Sequence, residues 1–187
     1  MQNNLLVEAK NIDKRFPGVY ALKKVDFSLK EGSVHALLGE NGAGKSTLIK
    51  ILGGIYQPDG GEIFVDGKKA DINNPADAID KGISIIHQEL NLADNLSIAE
   101  NIFFGRLPHK SFGIVDRKSL YNKAAELLEK VGLNIGADTK VRFLSIAQKQ
   151  LIEILKAISL NVRILVMDEP TSSLSPGEIE ILFKIIR

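Results

Sequence analysis

GENGAGKST, Gly39 to Thr47, decides the fold. It fits the pattern G-x-x-x-x-G-K-[ST], and it lies between an apolar run, SVHALLG, and a run with helical signals, STLIKIL. A glycine-rich turn that leaves a strand and opens a helix presents successive backbone amides to an anion, because glycine permits backbone angles and close approaches that side chains forbid. The helix N-terminus adds partial positive charge. In such a loop the amides of Gly39, Asn41, Gly42, Ala43 and Gly44 wrap the phosphates of a nucleotide, and Lys45 reaches the β and γ phosphates. The Ser46 hydroxyl is placed to hold Mg²⁺, with Thr47 supporting the α or β phosphate.

The surrounding pattern supplies the core that such a loop needs. LLVEAK, VDFSLK and SVHALLG alternate or run apolar and read as strands, and EIFVDGK carries an Asp66-Gly67 turn of hairpin type. Asn74, Pro75 and Gly82 bracket a short helix as N-cap, first helical residue and stop, and ISIIHQ reads as a buried strand. From about Leu92 the character becomes helical. Ser97 and Glu100 form a capping-box pair, and Asp116 to Val131 sets Leu120, Ala124, Leu127, Leu128 and Val131 on one face. LSIAQKQ, Leu144 to Gln150, opens a further helix with Ser145 as N-cap and Gln148 three residues on; Leu151, Ile154, Leu155 and Ile158 line its face. RILVM then reads as a short buried strand, and a last helix follows Ser175 and Pro176. The expected organisation is a parallel α/β core, residues 1–91 and 160–187, interrupted by a helical segment, 92–159.

ILVMDEP, Ile164 to Pro170, supplies a second piece of chemistry. An apolar strand ending in Asp168 and Glu169 presents two carboxylates at the C-terminal edge of a parallel sheet, the edge that also carries a phosphate loop. Asp168 is suited to act on Mg²⁺, through water, and Glu169 to polarise an attacking water as general base.

The composition excludes several alternatives. Lys and Arg number 24 against 23 Asp and Glu, so a net charge of +1 gives no global signal for nucleic acid or an anionic membrane. The absence of cysteine removes disulfides and thiolate metal sites. No window approaches the roughly 18 apolar residues of a spanning helix, so any membrane role is read as peripheral. His35 and His87 read as strand packing or edge residues, since no cluster with metal-ligand spacing surrounds them.

GENGAGKST, HQE, LSIAQKQ, ILVMDEP and SSLS, in this order, resemble the ATP-binding subunits of ATP-binding cassette transporters over nearly the whole chain. KRFPGVYALKKVDFSLKEGSVHALLGENGAGKSTLIKILGG, AENIFFGR and LSIAQKQLIEILKAISL look more narrowly like the N-terminal half of the tandem ATPases of ribose, galactose and xylose type importers. The resemblance implies a P-loop NTPase: a RecA-like core with an antiparallel β subdomain, plus a helical subdomain. It further implies that ATP and Mg²⁺ are bound, that Phe16 stacks on adenine, and that Gln88 touches Mg²⁺ and the attacking water. The implied partners are a membrane permease at the cytoplasmic face of the inner membrane, a second ATPase half or a second copy, and indirectly a sugar-binding protein, with no nucleic acid.

Two departures accompany the resemblance. The usual LSGGQ signature, which crosses a dimer interface to the γ-phosphate held by the opposite loop, keeps only Ser145 and Gln148 of its last four residues; Ile146 and Ala147 replace the glycine pair. Side chains there restrict backbone approach, so a weakened signature serving as helix cap is expected. SSLS, Ser172 to Ser175, ends in serine where aspartate is usual, losing a negative charge while keeping Ser175, Pro176 and Glu178 as a helix-starting set. None of the three histidines lies beyond His109, and the sequence stops at Arg187 within a helix pattern. The resemblance therefore implies a C-terminally truncated cassette that lacks the γ-phosphate histidine and hydrolyses ATP poorly alone. Two other readings stay open: a soluble cassette ATPase acting on ribosomes or DNA, and a nucleotide-binding regulatory module without turnover, against which Glu169 argues.

Overall fold

The computed structural model describes residues 5–87, 90–168 and 174–186, and the chain divides into two compact units, Met1–Ile85 and Ile86–Arg187. In the first, β1 (Leu5–Phe16) and β2 (Val19–Lys30) form a long antiparallel hairpin whose turn contains Gly18 at φ 79°. Alternation along β1 and β2 puts Val7, Ala9, Ile12 and Leu22 into the core. β3 (Gly60–Val65) adds to the other side of β1 and returns as β4 (Lys68–Lys69), giving the order β2-β1-β3-β4. The β3–β4 turn is Asp66-Gly67, both at positive φ (51° and 71°), as a two-residue hairpin of this twist requires.

The helix α1 (Lys45–Leu52) buries Leu48, Ile49, Ile51 and Leu52. After it, α2 (Pro75–Asp80) starts as expected: the Asn74 side chain accepts a hydrogen bond from the Asp77 N–H at 3.0 Å, and proline fills the first turn. The strand β5 (Ile83–Ile86) follows.

One expected strand is not formed. Residues 33–40, the SVHALLG run and its successor, join no β-ladder, and Val34 and Leu38 are 78% and 91% exposed. A continuous apolar run becomes a strand only where neighbours pair its backbone and cover both faces. None of the described strands does so here, and the segment is left as an extended lead into the glycine loop.

In the second unit, α3 (Ile98–Ile102), α4 (Arg117–Lys130) and α5 (Ile146–Ile158) pack through Ile98, Ile102, Leu120, Ala124, Leu128, Ile152 and Leu155. A second cluster joins Ile86, Leu151, Ile154, Ala157 and Leu182, the last from α6 (Pro176–Ile186). The four fully buried side chains Leu151, Ile152, Ile154 and Leu155 on α5 each contribute about 1.5–3 kcal/mol by leaving water. The Ser97–Glu100 and Ser145–Gln148 capping boxes both form reciprocally. Before α6 the Glu178 carboxylate accepts from the Ser175 N–H at 2.8 Å and its hydroxyl at 2.6 Å. The short strand β6 (Ile164–Met167) leads to Asp168, whose N–H donates to the Ile86 carbonyl at 3.1 Å.

Arg106 ties this unit together. Its guanidinium donates to the Ile102 carbonyl at the end of α3 (3.1 Å) and to the carbonyl and hydroxyl of Ser159 at the end of α5 (3.0 and 2.9 Å). A cation there satisfies orphan carbonyls and complements two helix dipoles at once.

Two measurements check these assignments. Arg106→Met, which keeps the aliphatic stem and removes the donors, lowers unfolding free energy by about 1–3 kcal/mol in urea titrations; an unchanged midpoint refutes the clamp. Hydrogen bonds from the Ser97 backbone and then its hydroxyl hold the Glu100 carboxyl below its ordinary pKa of 4.5. A depressed folded-state pKa gives stability that is present above the unfolded value and lost as pH falls through the folded one. The melting-temperature advantage over Glu100→Gln is therefore full at pH 7 and closes below pH 4.5; an advantage unchanged at pH 3 refutes it.

Candidate functional site

The glycine loop belongs to the first unit. Gly42 and Gly44 both sit at φ 86°, a left-handed conformation that side chains rarely adopt. At Gly42 a Cβ would meet nothing within 4 Å, so that glycine is needed for its backbone angle alone. At Gly44 a Cβ would lie 2.6 Å from both the Ala21 carbonyl oxygen and Leu22 Cδ2, so the glycine also lets α1 press against β2. Gly44 is the N-cap of α1 and offers no capping side chain. The first-turn amides of Lys45, Ser46 and Thr47 thus have no intrahelical acceptor.

Lys45 curls back over its own loop, its ammonium donating to the Gly39 carbonyl at 2.6 Å and the Glu40 carbonyl at 2.9 Å. The Ala43 N–H closes the turn onto the Glu40 carbonyl at 3.1 Å. The arrangement collects a cation, first-turn amides and the exposed Ser46 hydroxyl on one short stretch of backbone, with Asn41, Gly42 and Ala43 also exposed. It suits a polyphosphate. A divalent cation has one hydroxyl here, and among the described residues no group of three or more His, Cys, Asp or Glu could hold a metal ion. The donor set therefore fits Mg²⁺, which keeps waters and substrate oxygens and needs only one or two protein ligands.

Phe16 ends β1, half-buried, and meets Tyr56 edge to face with ring centroids 5.3 Å apart and planes at 68°. The Lys14 ammonium lies 5.5 Å from the Phe16 centroid and bonds Asp59 at 2.9 Å, and the Arg15 N–H also donates to Asp59, at 2.6 Å. These bonds, Lys14 first, hold the Asp59 carboxyl below its ordinary 3.8. The Tyr20 hydroxyl bonds Asp13, and the Arg15 guanidinium lies 4.3 Å from the Tyr20 ring centroid. His35 packs edge to face on Phe27 at 5.2 Å.

The structure thus gathers Gly39, Asn41 to Gly44, Lys45, Ser46 and Thr47 into one loop, with Phe16 in the same unit. Asp168, Ser145 and Gln148 belong to the second unit. Asp168 is half-buried one residue past β6. The Ser145 hydroxyl accepts from the Gln148 N–H at 3.1 Å, and the Gln148 side chain accepts from the Ser145 N–H at 2.9 Å. Ile146 is 65% exposed while Ala147 is buried, and the two form the first turn of α5 directly after the Ser145 N-cap. Gln88 and Glu169, together with Ser172 and Ser173, lie outside the described residues. Sequence reasoning missed Arg106 and Tyr56. The only signal for Tyr56 was its place just after the Gly53-Gly54 end of α1.

Comparisons with known proteins agree with this geometry. The sequence model of the ABC transporter family matches residues 22–172. A ribose import ATP-binding protein (RbsA 1) of Rubrobacter xylanophilus is 53% identical over 182 residues, 97% of this chain and 36% of that protein. A galactose/methyl galactoside import ATP-binding protein (MglA) of Clostridium tetani is 51% identical over 189 residues, 100% of this chain and 38% of that one. The chain therefore spans a little over a third of the length of the curated relatives it matches. Among solved structures, a nucleotide-free ATP-binding cassette from an ABC transporter superposes with a TM-score of 0.84 at 28% identity, covering 97% of this chain and 76% of that one. A dimeric post-hydrolysis cassette bound to ADP and Pi gives 0.78 at 29%, covering 97% and 83%. The fold is thus shared with these ATP-binding cassettes, and the chain belongs to the ABC transporter family.

Proposed function

We propose that this chain is the first nucleotide-binding half of a tandem ATP-binding subunit that powers uptake of a monosaccharide through a membrane permease. The observation that carries the reading is the glycine loop, in which Gly44 seats α1 on β2 while Lys45 and the first-turn amides face one strip of backbone. The names of the relatives support the sugar and the direction, since both are import ATP-binding proteins, for ribose and for galactose or methyl galactoside. The working location is the cytoplasmic face of the membrane, with a permease and a second ATPase half as direct partners and a sugar-binding protein as an indirect one. Among the described residues no helix is long and apolar enough to cross a membrane; in this reading membrane contact runs through the permease.

In this reading the loop amides and Lys45 bind the phosphates of ATP, Lys45 exchanging its carbonyl partners for phosphate oxygens, and Thr47 supports the α or β phosphate. Phe16 stacks on the adenine. Ser46, Asp168 and Gln88 are the residues that would hold Mg²⁺, which would supply charge neutralisation on the phosphates. Glu169 takes a proton from water as its oxygen attacks the γ phosphorus, and ADP leaves with the former bridging oxygen. Ser145 and Gln148 lie at the helix end that meets a second nucleotide site. Because the backbone N–H groups of Ser145 and Gln148 are both consumed by the capping box, this end contributes to that site weakly, and productive hydrolysis belongs to the loop of this chain.

Calorimetric titration with MgATP tests the reading. The wild-type chain binds; Lys45→Ala and Gly44→Ala each weaken binding by at least about tenfold, the first by removing a charge-assisted contact and the second by forcing a Cβ into β2. Glu169→Gln keeps binding and abolishes turnover in the complete transporter. Undiminished affinity in Lys45→Ala, or full turnover in Glu169→Gln, refutes the assigned roles.

A further inference from the structure

Tyr56 is an aromatic that the binding roles above leave without a task. It follows α1 directly, with the Ile55 and Tyr56 N–H groups both donating to the Lys50 carbonyl, at 2.8 and 3.1 Å. Its ring is therefore placed by the helix whose other end begins with Lys45. The Lys50 ammonium lies 5.4 Å from the Tyr56 centroid, and the ring meets Phe16 edge to face at 5.3 Å. Both rings are half-buried, so each keeps open surface.

We infer that Tyr56 is a positioning residue for the nucleotide base: it fixes the plane of Phe16 and thereby couples the base platform to the helix that carries the phosphate loop. The inference rests on the proposed stacking of adenine on Phe16. Phe16 is the last residue of a strand that ends in a turn, and its ring has two torsions to lose. The edge-to-face contact removes that freedom before the base arrives. Since α1 connects Lys45 to Tyr56, the spacing between phosphate contact and base contact is set by one rigid helix turn count, 45 to 52, and by the short reversal through Gly53 and Gly54. That reversal is itself tight: Gly54 is at φ 72°, and a Cβ there would overlap the Asn74 carbonyl.

The experiment compares MgATP with magnesium tripolyphosphate, which has the phosphates and no base, by calorimetry on the wild-type chain, Tyr56→Leu, Tyr56→Phe and Phe16→Ala. Tyr56→Leu is expected to weaken MgATP about threefold to tenfold while tripolyphosphate stays within about twofold, and Tyr56→Phe to restore the wild-type ratio. Equal weakening of both ligands, or an unchanged ratio, overturns the inference. An unchanged ratio in Phe16→Ala overturns the stacking reading itself, so the two failures are separable. If Tyr56→Leu does not fold, tyrosine fluorescence decides. The chain has no Trp and three Tyr, so ATP but not tripolyphosphate should alter emission in the wild type and not in Tyr56→Phe. A response that is the same for both ligands, or that survives Tyr56→Phe, overturns it.

Discussion

The first unit depends on the absence of one carbon atom. The Gly44 backbone approaches Ala21 and Leu22 so closely that any Cβ would collide with a carbonyl oxygen and a methyl group, and its φ of 86° is itself hostile to a side chain. Because this contact is possible, α1 lies against the hairpin, its apolar residues Leu48, Ile49, Ile51 and Leu52 are buried, and its unbonded first-turn amides are held in place. The same seating carries the far end of the helix to Phe16 through Tyr56. A local backbone permission thus governs packing, and packing governs where the glycine loop and the Phe16 ring lie along α1.

The second unit solves a different problem by repetition. Three helices, α3, α5 and α6, start with serine followed three residues later by Glu or Gln, and in each the acceptor reaches back to the serine N–H. A short helix such as α3, five residues long, has too few internal bonds to persist alone, so its start must be fixed by side chains and its face by the core. Arg106 performs the complementary task at the helix ends, binding carbonyls of α3 and α5 that have no helical partner.

How much of this was legible in the sequence follows from how local each cause is. The capping boxes, the Asn74-Pro75 start, the Asp66-Gly67 turn and the glycine loop are set by a few adjacent residues, and all are found where the sequence put them. The buried face of α4, Leu120, Ala124 and Leu128, follows from period alone. SVHALLG did not become a strand because its apolar pattern specifies burial, whereas pairing depends on neighbours far along the chain. Arg106 and Tyr56 escaped for a related reason. Nothing near Arg106 announces Ser159, fifty-three residues away, and nothing near Tyr56 announces the end of β1.

The signature helix shows how one segment is pulled between stability and ligand chemistry. Two glycines at the start of α5 would expose amides to an anion, but each would cost the helix about 1 kcal/mol relative to alanine. Ile146 and Ala147 recover that stability, and Ala147 adds a buried methyl. The exposed Ile146 side chain, however, stands at the helix end where an anion would approach, and Ser145 and Gln148 are already bonded to each other. The same substitutions that make α5 a better helix therefore make its N-terminus a poorer anion site. Since α5 supplies buried residues to both apolar clusters of the second unit, the unit's integrity rests on this helix more than on any other. On the proposed reading, in which phosphate chemistry belongs to the loop of Lys45, α5 serves chiefly as structure.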